Sequence, residues 1–376
     1  MDARLRWFSL YYFAYYAALG AYTPYVGRWV DALGHGGYVV GGMLGLWYGT
    51  RIVAPPAWAA LTGRSARPGY WFVAGSVAAA VLFACFVFTR GAWPLLAVMA
   101  VFGLFYNAVM PQFEAMSLAA LGPRPQRYGR LRVWGSVGFL LVAGSYGALL
   151  DRFGGTAFPL LALPLFAAMA LCAWPHRHDR PPPAPVAGDA GHLWRRPGVR
   201  RFLLVALLMQ VGFGPFYVFY TLHLQAAGHS GAVVGALWAL GVVIEIALFW
   251  QAPRLIDRFG AASLLQLCVA ATIGRWLVVA WFPQSLPLMA LAQVTHALGF
   301  AMFHACCMRL MADYFPGGRA AAGQSLLYGF SGGVGGVIGA AMAALAWERS
   351  GGALAFTLGA AAAAVAYVIY AMRRRN

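Results

Sequence analysis

The feature that most constrains this chain is the recurrence of apolar runs, separated by short segments whose basic residues are all arginine. A helix needs about 20 apolar residues to cross the hydrocarbon core of a bilayer. On that template the sequence predicts spans near 7–30, 38–61, 70–88, 92–118, 130–150 and 157–174, then near 201–225, 231–252, 263–281, 287–313, 320–346 and 353–372. The expected fold is therefore an all-α membrane protein with twelve transmembrane helices in two six-helix bundles. The first apolar run continues to about residue 30, longer than the apolar core of a signal peptide, and is expected to be a membrane helix.

The 376 residues are 62% hydrophobic and only 10% charged, against about a quarter charged in soluble domains. The excess of basic residues, 27 against 10 acidic, cannot be a nucleic-acid footprint, because no soluble surface is left to carry it. It acts as a topological signal instead. With the N-terminus inside, 20 of the 27 arginines fall in cytoplasmic segments and only Arg28, Arg90, Arg152 and Arg349 on the far side. Both termini are expected in the cytoplasm, and the protein in a bacterial inner membrane.

A Pro- and Arg-rich stretch, HRHDRPPPAPVAGDAGHLWRRPGVRR, separates spans six and seven. It divides the chain into an expected N-terminal bundle (1–174), a cytoplasmic linker (175–200) and a C-terminal bundle (201–376). Two six-helix halves around a midplane cavity are the layout of a secondary transporter. The five cysteines, Cys85, Cys172, Cys268, Cys306 and Cys307, lie in apolar runs without metal-ligand spacing and read as packing residues. No cofactor or metal is expected. The absence of a GKS/T phosphate loop argues against ATP-driven transport.

Ionisable groups within spans are costly and mark function. They are Arg51, Glu114, Glu245, Arg275, His296, His304 and Arg309, with Arg132 near a span end. Arg309 has Asp313 one turn away, which suffices as a local pair. Asn107 precedes Glu114 by seven residues on one helix face. Glu245 has no charged neighbour within seven residues on either side, so its partner must come from another helix; Arg275, one span later, is the expected one. His296 and His304, eight residues apart, suit a proton relay better than a metal site. Tyr11, Tyr15 and Tyr22 share a face of span one, as do Gln210, Phe213, Tyr217 and Tyr220 in span seven and Gln324, Tyr328 and Gly335 in span eleven. Helix packing accounts for any one such stripe, but tyrosines and glutamines together on corresponding spans of the two halves suit a wet, ring-stacking cavity better.

YGRLRVWGSVGF (128–139), WALGVVIEIALFW (238–250), GRW (274–276) and HALGFAMFH (296–304), in that order and spacing, resemble the major facilitator superfamily. The resemblance covers nearly the whole chain and is nearest to the group of lactose permease and the phenylpropionic acid transporters. It implies alternating access, a small-molecule substrate, proton coupling and a monomer in lipid. By the resemblance Glu114 and Arg132, 18 residues apart, match a sugar-binding pair, and Glu245, Arg275 and His296 match charged positions of spans eight to ten. Gly299 stands where lactose permease has its proton-carrying glutamate, so Glu245 is the expected replacement. PRLIDRFG (253–260) matches the loop signature of the superfamily in the second half, with Asp257 and Arg258 as gating residues. The first half has ALTGRSARPG (60–69), without the acid.

Setting Arg309 and Asp313 aside, Arg51, Arg132 and Arg275 face only two carboxylates, which leaves a cation for a substrate carboxylate, with Arg51 as the expected spare. The expected substrate-binding set is Arg51, Asn107, Glu114, Arg132, Tyr15 and Tyr217; the expected proton-coupling set is Glu245, Arg275, His296 and His304. A sugar or nucleoside symporter, a drug or metabolite efflux carrier and a multipass membrane enzyme are the alternatives left open. The loop acids are scattered over both sides, which gives an enzyme no clustered acid pair to work with.

Overall fold

Long apolar runs without water can satisfy their backbone only by coiling, and the chain does so throughout. The computed structural model describes residues 3–122, 128–180, 193–316 and 319–372. Residues 181–192 of the predicted linker, with Arg124, Arg127, Arg373, Arg374 and Arg375, lie outside them. Among the described residues there is no strand. The helices are α1 (Ala3–Ala32), α2 (Gly37–Thr62), α3 (Pro68–Cys85), α4 (Ala92–Leu121), α5 (Tyr128–Phe153), α6 (Phe158–Ala173), α7 (Pro197–Ala226), α8 (Gly231–Phe259), α9 (Ala261–Trp281), α10 (Leu286–Ala297), α11 (Phe303–Tyr314), α12 (Ala320–Leu326) and α13 (Gly336–Ala371). Nine helical runs among the described residues are long and apolar enough to span a bilayer. The last, Ala322–Ala371, holds the two final predicted spans in one. It breaks where Ser350 leaves helical geometry and Gly351 takes φ 69° and ψ −158°, a region open to glycine. α1 and α2, rich in tyrosine, glycine and proline, fall outside the nine.

Two π-helical segments interrupt the second half, Leu298–Met302 between α10 and α11, and Leu327–Gly335 between α12 and α13. The second lies in the glycine-rich run LYGFSGGVG, where side-chain packing against the preceding turn is weak. Wide turns of this kind concentrate at functional sites.

The chain divides into two compact units, Met1–Pro185 with Ser230–Gly235, and Val186–His229 with Ala236–Asn376. In the first, tyrosines of α1 fill the interior: Tyr22 stacks on Trp47 of α2, and Phe83 of α3 stacks on Phe166 of α6 at 3.8 Å. Arg28 pairs with Asp151 at 2.8 Å, tying α1 to α5. In the second, α7 is the most enclosed element and crosses α13 at glycine, so that a Cβ on Gly214 would strike the backbone of Gly339. Such small-residue crossings replace the hydrophobic effect, which does not act between helices in lipid. Phe88, Trp93, Leu171 and Trp250 instead point outward, each more than 70% exposed, as an apolar belt does.

Candidate functional site

Each unit carries its own cluster of charge and aromatic rings. In the first, Glu114 of α4 and Arg132 of α5 approach to 4.0 Å, both side chains partly accessible. Arg132 also donates from Nη2 to the Tyr16 hydroxyl at 2.7 Å, and its guanidinium lies 4.1 Å from the centre of that ring. Tyr128 donates to Glu114 at 3.4 Å, and Tyr12 stands 5.8 Å from the guanidinium. The 18-residue spacing seen in the sequence is thus a real cross-helix pair, with an aromatic wall around the cation. A planar guanidinium so placed keeps donors for a second, bidentate acceptor.

Other predicted members are placed differently. Tyr15 is 5% exposed, stacks on Tyr106 at 4.4 Å and donates to the Tyr106 carbonyl; it belongs to the packed interior, not to the wall of the cluster. Its neighbour Tyr16 is the tyrosine that meets Arg132. The doublets Tyr11–Tyr12 and Tyr15–Tyr16 in LYYFAYY cover two faces of α1: Tyr11 and Tyr15 turn to α3 and α4, while Tyr16 turns to α5. Both doublets are visible in the sequence, but which member faces the cation is decided by the crossing of α1 and α5. Asn107 is likewise committed to packing: its Nδ2 donates to the Trp47 carbonyl and to Thr50 Oγ1, which ties α4 to α2. Arg51 is exposed on α2, within electrostatic reach of the Tyr15 and Tyr16 hydroxyls. Among the described residues it forms no ion pair.

In the second unit the expected Glu245–Arg275 pair is not the one formed. Glu245 Oε2 of α8 stands 3.9 Å from His296 Nε2 of α10. Arg275 of α9 donates from Nε to the Ala292 carbonyl at 2.9 Å and lies over Trp276 (4.1 Å) and Phe216 (4.5 Å). The aromatic faces of α7 and α9 attract the cation in place of a carboxylate. Its Nη1 and Nη2 are buried without a hydrogen-bond partner among the described residues, and so are Gln293 Oε1, Trp276 Nε1 and His296 Nδ1. Gln293 donates to the Tyr220 hydroxyl. Buried polar atoms left unmatched in this density are costly, and their clustering marks a functional interior. Sequence reading missed Phe216, with Trp238 packed on it at 4.5 Å, and Gln293, though Gln293 precedes His296 by one turn.

Tyr217, half-buried, packs on Phe213 and Phe216. His304 is apart from the cluster, 3.5 Å from the Tyr328 hydroxyl and beside Phe249. Arg309 bridges Asp313 at 3.5 Å and Asp257 at 4.0 Å, so the predicted local pair is part of a three-residue group. Arg258 lies over Phe259. Among the described residues, no group of three His, Cys, Asp or Glu side chains is arranged to hold a metal ion.

A family model described as MFS_1 like family matches residues 5–358. The chain belongs to that family. This MFS_1-like chain is 30% identical over 322 residues to a protein of Escherichia coli (strain K12) named "Probable 3-phenylpropionic acid transporter", with 82% of each chain covered. It is 28% identical over 289 residues to the maltose permease of Geobacillus stearothermophilus, covering 75% of this chain and 72% of that one. The fold matches the crystal structure of the nucleoside transporter NupG with TM-score 0.87 at 13% identity, covering 100% of both chains. It is a multi-pass membrane transporter of all-α fold, and the family and its relatives are transporters, not enzymes.

Proposed function

We propose that this transporter carries a small aromatic carboxylate together with protons, by alternating access. It works in a bacterial cytoplasmic membrane, as a monomer with both termini inside. The observation that carries this reading is the charge balance of the two clusters. Glu114 is taken by Arg132 and Glu245 by His296, while Arg275 has unmatched Nη donors against Phe216 and Trp276 and Arg51 has no ion pair among the described residues. Cations in excess of acids, set among flat rings, suit a carboxylate with an aromatic tail. The name of the Escherichia coli relative agrees with it.

Proton coupling requires that protonation and substrate binding favour one another. Glu245 with His296 supplies a titratable dyad next to Arg275, so that a proton taken there changes the charge that the substrate meets. Asp257, Arg258 and Arg309 are the proposed gating group. His304 stands outside the coupling dyad and is proposed to act only through Tyr328.

The test is uptake of labelled 3-phenylpropionate into proteoliposomes with acid outside or acid inside. Accumulation with acid outside, abolished by a protonophore, is the expected result, and Arg51→Gln should lower it. Uptake that ignores the proton gradient would end the symport reading. A second reading has its own support: Glu114 with Arg132 is the sugar-type pair, and the maltose permease is a relative. Movement of maltose and not of 3-phenylpropionate in the same vesicles would select it.

A further inference from the structure

A second polar site lies in the first unit, away from both clusters. The start of α3 and the segment that follows α6 border a cavity of about 280 Å³, whose lining includes Arg67, Pro68, Tyr70, Arg177, Asp179 and Arg180. Three arginines line it against one acid. That acid, Asp179, is directed to the buried His176, with Oδ2 2.8 Å from Nδ1. The cavity is therefore electropositive. Pro68 opens α3, so the first turn of an 18-residue helix also lines it and adds the positive end of a helix dipole.

The walls are held in place. A Cβ on Gly69 would lie 2.5 Å from the carbonyl oxygens of both His176 and Arg177, so the start of α3 and the segment after α6 touch backbone to backbone. His176 is 1% exposed and packs on Phe8, Phe72 and Phe113, which anchors the segment carrying Arg177. Tyr70 meets His178 edge-on at 5.5 Å, and Arg177 lies over Trp174 at 5.0 Å. Tyr70, Trp71 and Trp174 are exposed, as aromatic side chains are at the level of lipid headgroups. By the order of spans this is also the side of the N-terminus.

We propose that this cavity is a phosphate-binding site separate from the transport pathway, taking the phosphate of an anionic lipid headgroup or a free phosphate ion. Arg67 and Arg180 supply charge-assisted donors, joined by those of Arg177 that the Trp174 carbonyl leaves over. The loop of the first half, ALTGRSARPG, holds no acid, so Arg67 meets no carboxylate from its own loop.

The test measures binding to the full-length protein in detergent by native mass spectrometry and by thermal shift, with dioleoyl phosphatidylglycerol, dioleoyl phosphatidylcholine and inorganic phosphate as probes. Wild type is expected to retain phosphatidylglycerol in preference to phosphatidylcholine. Arg67→Gln with Arg177→Gln should weaken that binding on the order of tenfold. Arg67→Lys with Arg177→Lys, which keeps the charge, should restore part of it and shows that the fold survives. Binding of phosphatidylglycerol untouched by inorganic phosphate assigns the site to lipid; competition by inorganic phosphate assigns it to the free ion. Equal binding by the glutamine variant and wild type overturns the proposal. So does an equal loss in the control Arg195→Gln with Arg200→Gln, which would reduce the effect to bulk charge, or no preference for either anion in wild type.

Discussion

Glu245→Gln is expected to abolish uphill accumulation while leaving exchange of substrate between equal pools intact. The side chain keeps its size and loses its titration, so a carrier fixed in the neutral form still reorients when loaded. The driving force vanishes because no proton is bound and released with each cycle. His296 lies 3.9 Å away, with Nε2 facing the carboxylate. His296→Gln should therefore weaken accumulation too, and a double variant should be no worse than Glu245→Gln alone, as expected for residues acting as one unit. Counterflow and gradient-driven uptake measured on the same proteoliposomes separate the two activities. Loss of both in Glu245→Gln would move the residue from coupling to binding; retention of both would remove it from the mechanism.

The second large effect is structural. Gly214→Ala places a methyl group against the backbone of Gly339, which cannot swing aside as a side chain can. Overpacking of this kind costs about 1–3 kcal/mol, and here the displaced partner is the α13 backbone. The variant should lose thermal stability in detergent and fall in yield. Gly274→Ala, on α9 where no atom stands within 4 Å of the added Cβ, should leave both unchanged. Equal behaviour of the two variants would show that α7 and α13 adjust freely at their crossing.

Much of the scaffold can be read from the chain because a bilayer narrows the choices. Apolar runs long enough to span must be helices, and the apolar content of 38–61 points to the helix that runs over 37–62 despite two prolines. The Glu114–Arg132 pair is legible only through the family resemblance, which matches both positions with the same 18-residue separation. The partner of Arg275 is not legible. Phe216 lies on α7 and Trp276 beside Arg275 on α9, and only the packing of the two helices turns these rings onto the guanidinium. An ion pair with Glu245 is the simpler expectation from charge alone, and it fails because aromatic faces compete for the same cation. Tyr15 and Asn107 show another limit: each is hydrogen-bonded to a neighbouring helix, through the Tyr106 carbonyl and through Trp47 and Thr50, and those partners are not readable from the sequence.

The π-helical segment at Leu298–Met302 bears on how this chain is compared with its relatives. Each residue of an α-helix advances about 100° around the axis, and a wide turn holds an additional residue before the helix resumes. Positions counted forward from His296 and positions counted back from Asp313 thus disagree about which way a side chain faces. Gly299 sits inside that interval. Equivalence by residue count with a relative whose helix runs unbroken holds up to Ala297 and again from Phe303; between them, only superposition of the helix axes assigns one residue to another.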